Sequence, residues 1–263
     1  MLNLQYLLEE AGSNGLPILK RRAIVREYLL VIILNAIYNH PQGKFMFFTG
    51  GTALRFFHKL PRFSEDLDFN TAGLDFEIFK AMLEAIKKSL SKEGFTLAVS
   101  SKRRNNLFVA ELYFKGLMKL YNIVDRRGED LMIKIEVYKP VWNLVSETSA
   151  LSLYSYNFSA LLLGRENLIS EKLCALLNRK RGRDIYDILF MLKWKFPFNE
   201  TILKANKIEG PPKKLILECL SKLPEKELVS LSNQVKPFLF KEEDIELVIK
   251  APLYAERFLR EYE

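Results

Sequence analysis

Apolar positions change period along the chain, and each change predicts an element. A short lead-in helix and loop are expected over Met1–Gly15. Between Tyr28 and Tyr38 apolar residues are almost continuous, so the helix expected over Pro17–Asn39 should be covered on most sides; Pro17 suits a first turn and Pro41 stops it. Lys44–Phe48 reads as a buried strand, Gly50 and Gly51 as a turn, Thr52–Leu60 as a short helix, and Leu67 and Phe69 as the inner face of a second strand. Asp75–Ser91 has helical spacing, with Phe76, Phe79, Met82, Leu83 and Ile86 on one face. Strands are expected at Phe95–Ser101 and Leu107–Phe114, around a basic tip from Lys102 to Asn106 that is either a solvated turn or a phosphate-contacting loop. Met132–Tyr138 alternates: Ile133, Ile135 and Val137 take one face, Lys134, Glu136 and Tyr138 the other.

From about Ala150 the strand signals fade. Helices are predicted at Arg165–Asn178 and Arg183–Lys195, around the loop Arg179–Gly182, then at Asn199–Lys207, Lys213–Leu223, Glu225–Val235 and Glu242–Glu263. The pattern is that of an α+β chain, with a sheet-containing domain over residues 1–155 and a mainly helical one over 156–263.

Composition narrows this only slightly. The 263 residues carry 40 Lys and Arg against 32 Asp and Glu, a net charge of +8, which permits a polyanionic partner such as RNA without requiring one. The apolar run Leu29–Ile37 falls far short of the roughly 20 residues a membrane span needs. Cys174 and Cys219 sit in helical patterns as buried apolar residues; without a disulfide framework or a secretory leader, the expectation is a cytoplasmic protein.

Chemistry enters at residues 47–69. Asp66 and Asp68 lie two apart on a strand, so both point to one face while Leu67 and Phe69 point to the core. Paired carboxylates repel unless a cation sits between them, and a hard divalent ion answers that need. A turn without Cβ atoms, here Gly50-Gly51, lets backbone amides approach a phosphate, and the helix after it presents its amino end. Glu136, on the polar face of its strand, is either a third carboxylate for the same cation or an ordinary solvated side chain.

The full pattern is Gly50-Gly51-Thr52 followed by Arg62, Ser64, Asp66-Leu67-Asp68-Phe69. It resembles the nucleotidyltransferase superfamily in its AbiEii toxin branch, also called MenA or DUF1814. A second stretch carries the same resemblance: Glu171-Lys172-Leu173, then Arg183-Asp184-Ile185-Tyr186-Asp187-Ile188. The resemblance implies a nucleotidyltransferase-fold mixed sheet with flanking helices, and a helical domain that completes the active site. It implies Mg2+ or Mn2+ on Asp66, Asp68 and a third carboxylate from a neighbouring strand, for which alternation offers Glu136, and a nucleoside triphosphate contacted by Gly50, Gly51, Thr52, Arg62, Ser64 and Lys172. Asp184 or Asp187 would take part in catalysis or position the site. From the residues alone, Lys172 and the two aspartates could equally form a salt bridge between neighbouring helices. Arg179, Lys180, Arg181 and Arg183 read as a solvated loop or as an RNA clamp.

The function implied is transfer of a nucleoside monophosphate to an acceptor hydroxyl by the toxin of a toxin–antitoxin or phage-defence system. The acceptor implied is the 3′ end of tRNA, and a separately encoded antitoxin would be the protein partner. A protein side chain as acceptor, or a catalytically idle nucleotide- or RNA-binding module, are the alternatives. His40 and His58 have no paired ligand spacing, and no Gly-x-Ser-x-Gly elbow occurs, so zinc and serine hydrolases are disfavoured.

Overall fold

The computed structural model describes residues 1–123 and 128–262. These fold as two compact units: one of residues 1–58, 63–140 and 146–162, the other of residues 59–62, 141–145 and the chain from Leu163 onward.

The first unit is built on a seven-stranded mixed sheet. Its strands are β1 (Phe47–Thr49), β2 (Leu67–Asn70), β3 (Leu97–Arg104), β4 (Leu107–Phe114), β5 (Leu131–Tyr138), β6 (Ser146–Leu153) and β7 (Tyr156–Leu163). Their order in space is β3-β4-β5-β2-β1-β7-β6. β2 returns antiparallel to β1, with Phe69 opposite Phe48 and Asp68 opposite Thr49. β5 runs parallel to β2 and sets Glu136 beside Asp68 and Ile135 beside Leu67. β4 is antiparallel to both β3 and β5.

Alternation explains why these segments are strands. Leu131, Ile133, Ile135 and Val137 of β5 and Leu67 and Phe69 of β2 are buried, while the residues between them are half-buried or exposed. The helix Arg21–Tyr38, apolar on nearly all sides, packs against β5 and against the helix Phe76–Lys92.

Several expected boundaries move. Pro17 lies in a turn before the helix, which starts at Arg21. Residues Pro41–Phe45 form a 3-10 turn, so β1 starts at Phe47; proline opens that turn, and Gly43 fits because a Cβ there would strike the Ile37 carbonyl. The helix after β1 begins at Gly50 itself, making the double glycine its first turn. β3 continues through Arg104, leaving a hairpin turn at Asn105-Asn106 between the two strands. β6 and β7 were not expected. β6 is an edge strand with Leu151 its one buried residue, so no alternation marks it. Tyr154 and Ser155 join the two strands in left-handed conformations (φ 50° and 63°), without the glycine or asparagine that ordinarily announces such a turn.

In the second unit the helices Arg165–Arg179 and Gly182–Lys193 form a hairpin, turned by Lys180 at φ 44°. Glu225–Val235 packs on the latter helix at Gly182, where any Cβ would overlap the Leu231 carbonyl. Pro61 and Arg62 join this unit: the Pro61 carbonyl accepts from the Phe240 amide, and Arg62 bridges to Leu239. The expected final helix is broken into a 3-10 turn (Glu242–Asp244) and helices Ile245–Ile249 and Ala251–Arg260, because Pro252 lacks the amide a continuous helix needs. Its expected last residue, Glu263, lies outside the described residues.

Candidate active site

Gly50 adopts φ +76°, a conformation that strains residues with a Cβ, and a Cβ there would overlap Asp68 Oδ2. The turn therefore passes directly over the carboxylate that β2 presents. Two further contacts fix its geometry. Thr52 Oγ1 donates to the Asp66 carbonyl at 2.5 Å, tying the helix Gly50–Phe57 to the entry of β2. Arg55, on the same helix, places Nε and Nη2 each 3.1 Å from the carboxylate of Glu27 in the helix Arg21–Tyr38. Burial raises the Glu27 carboxyl pKa, and the Arg55 charge offsets this only in part. The glycine turn is thus braced by a buried ion pair that sequence reasoning missed; the one signal was a glutamate directly before the apolar run Tyr28–Tyr38.

The sheet assembles the carboxylates. Parallel register makes Asp68 and Glu136 neighbours on adjacent strands, and Asp66 precedes β2 by one residue. The side chains of Asp66 and Glu136 keep about a third of their surface exposed. Lys134, two residues before Glu136 on β5, places Nζ 3.1 Å from Glu136 Oε1 and 3.8 Å from Asp66 Oδ2. Partial burial works to lower the ammonium pKa, but Asp66, Glu136 and Asp68 outweigh it and leave it raised. Lys134 was expected only as one residue of a polar strand face.

These donors are of the right kind for magnesium or manganese: carboxylate oxygens on adjoining strands, charged enough to hold a lysine cation. In this structure the Lys134 ammonium pairs with two of them, Asp66 and Glu136. Among the described residues, no group of three or more His, Cys, Asp or Glu side chains is arranged round a common metal position. Gly50, Gly51 and Thr52 lie together on the helix that follows β1, and Ser64 is half-buried ahead of β2.

The remaining sequence candidates belong to the second unit and bind one another. Arg62 donates from Nε and Nη2 to the two carboxylate oxygens of Asp187, each at 2.7 Å. Lys172 Nζ lies 2.9 Å from Asp187 and 3.2 Å from Asp184, and Arg179 donates to Asp184 at 2.8 and 3.1 Å. Asp184 and Asp187 are buried. Burial opposes their ionisation, but Lys172 with Arg179 in one case, and Arg62 with Lys172 in the other, hold both carboxyls below the usual range. The salt bridge between neighbouring helices is therefore present, and Arg62 is part of it. Of the loop cations, Arg179 is tied to Asp184 and Arg183 stacks over Phe238 at 4.7 Å. Cys174 and Cys219 are both buried and free. No helix among the described residues is long and apolar enough to cross a membrane.

Two solved structures from Helicobacter pylori share this fold. JHP933 aligns with a TM-score of 0.61 and 20% identity over 92% of this chain and 93% of its own. A second, described as a proposed nucleotidyltransferase, aligns with a TM-score of 0.61 and 19% identity over 92% of this chain and 96% of its own. No curated protein matches the chain. The glycine turn thus lies over an Asp-x-Asp strand that has a glutamate in register beside it, and the protein is a nucleotidyltransferase. Residues 32–231 match the family described as nucleotidyl transferase AbiEii toxin of type IV toxin–antitoxin systems, and the chain belongs to that family.

Proposed function

We propose that this nucleotidyltransferase uses magnesium, or manganese in its place, to move a nucleoside monophosphate from a nucleoside triphosphate to the 3′ end of tRNA. The observation that carries the proposal is the row of carboxylates: Glu136 beside Asp68 in strand register, with Asp66 at the entry of the same strand and Gly50 packed on Asp68.

Asp66, Asp68 and Glu136 would hold the metal, which when bound offsets charge on the triphosphate and orients in-line displacement of pyrophosphate. The amides of Gly50 and Gly51 and the hydroxyl of Ser64 take the phosphate oxygens. Thr52 serves as a brace, its hydroxyl proton already given to the Asp66 carbonyl. The acceptor hydroxyl attacks the α-phosphorus, the bond to pyrophosphate breaks, and the hydroxyl proton passes to Glu136. We place the base there because Asp184 is buried and engaged by Lys172 and Arg179. Arg62, Lys172 and Asp187 then act as positioning residues of their own unit. The +8 charge favours an RNA acceptor, and family membership favours a cognate antitoxin protein as regulator.

The test is transfer of label from each α-labelled ribonucleoside triphosphate to total tRNA, with magnesium, for the wild type and Asp66→Asn. Label on tRNA that vanishes in the variant supports the proposal and names the nucleotide. Label on protein instead moves the acceptor to side-chain hydroxyls. Failure to bind any triphosphate would leave a catalytically idle module.

A further inference from the structure

We propose that Lys134 is the resident counter-ion of the carboxylate site, holding the place of the divalent cation and competing with it for Asp66 and Glu136. This rests on the metal reading given above and adds a residue to it.

Lys134 shares a strand face with Glu136, and its Nζ is in ion-pair range of two of the three proposed metal ligands. A lysine on a merely solvated face would extend into water; this one keeps about 30% of its side-chain surface exposed and turns back onto the acidic row. Magnesium binds carboxylate oxygen at roughly 2.0–2.1 Å and tolerates little distortion. An ammonium 3.1 Å from Glu136 Oε1 already engages an oxygen that the metal would need. The two cations exclude each other, so binding the metal requires Lys134 to leave. Its flexible four-carbon stem allows that, which a rigid guanidinium fork would hinder. Without metal, the lysine removes the repulsion that would otherwise push the strand-borne carboxylates apart.

The experiment is titration of the full chain with Mn2+, following free ion by electron paramagnetic resonance, for the wild type, Lys134→Met and Lys134→Arg. Competition predicts that Lys134→Met binds Mn2+ about tenfold tighter than the wild type, the effect of removing one charge at close range. Lys134→Arg should stay near the wild type. Thermal unfolding supplies a second readout: Lys134→Met should melt lower than the wild type without metal and gain more on adding Mn2+. If Lys134→Met does not fold, Lys134→Gln takes its place in both measurements. Unchanged or weaker Mn2+ binding in the neutral variant, with the wild type binding, overturns the counter-ion role and leaves the metal reading intact. Absence of Mn2+ binding in every folded form overturns the metal reading and the competition together.

Discussion

Arg62 and Asp187 meet in two parallel hydrogen bonds of 2.7 Å, with 2% and 0% of their side-chain surfaces exposed. The arginine comes from the motif that leads into the aspartate strand, the aspartate from the second signature stretch. Replacing Asp187 takes from buried Arg62 its bidentate partner, and replacing Arg62 leaves buried Asp187 with Lys172 in place of two cations. Asp187→Ala and Arg62→Met should each destabilise by about 3–5 kcal/mol, and the double variant by less than the sum. Denaturant unfolding of the three variants measures this; additive losses would show that the pair is not coupled.

The same pair predicts a pH dependence. Burial opposes ionisation of Asp187, yet Arg62 and Lys172 hold its pKa down to about 2, below its ordinary value of 3.8. A depressed acid stabilises the fold above the unfolded value and loses that contribution as pH falls through the folded one. Stability of the wild type should therefore drop between about pH 4 and about pH 2 more steeply than that of Asp187→Asn. Equal acid limbs in the two unfolding curves would contradict it.

Asp66→Asn and Asp68→Asn should lower nucleotidyl transfer by at least about two orders of magnitude while moving the melting temperature little, since each removes from a partly exposed cluster a charge that both repels its carboxylate neighbours and attracts Lys134. Chelating the divalent ion should abolish transfer by the wild type, and adding magnesium should restore it. Both are read from the labelled tRNA assay alongside thermal unfolding.

Gly50→Ala combines a positive φ with steric overlap on Asp68 Oδ2. The expected cost is about 1–3 kcal/mol, and activity should fall further than stability because the displaced atom belongs to a proposed metal ligand. Ser64→Ala, which introduces no such overlap, should weaken triphosphate binding without moving the melting temperature. Comparing KM with kcat for the two separates displaced chemistry from lost binding.

Lys172→Met should destabilise by about 1.5–3 kcal/mol through loss of charged hydrogen bonds to Asp184 and Asp187. A variant that melts like the wild type but has lost activity would instead assign this lysine to the nucleotide.

What could be read in advance depended on how local the cause was. The strands Leu107–Phe114 and Leu131–Tyr138, the helix Glu225–Val235 and the aspartate strand follow from alternation and spacing within a few residues. β6 and β7 do not: an edge strand rich in serine and threonine is held by its neighbours, and its turn uses tyrosine and serine in left-handed conformations. Asp66 and Asp68 were visible as a carboxylate pair on one strand face, and Glu136 as a polar-face residue of another strand. The roles of Lys134, of Glu27 with Arg55, and of Arg62 with Asp187 were not, since each depends on a partner distant in the chain or across a sheet. Gly182 is similar: only the approach of Leu231 shows why it has no side chain.

The order of the strands also governs when the enzyme can exist during its own synthesis. β2 leaves the ribosome long before its neighbour β5, so Asp68 waits for Glu136, and Phe48 on the other flank waits for Leu162. Parallel pairings of this kind carry high contact order and form late, after the intervening loops have closed. On the proposed site, a nascent chain would stay inert until β5 has emerged, since truncation before β5 would leave Asp66 and Asp68 without Glu136.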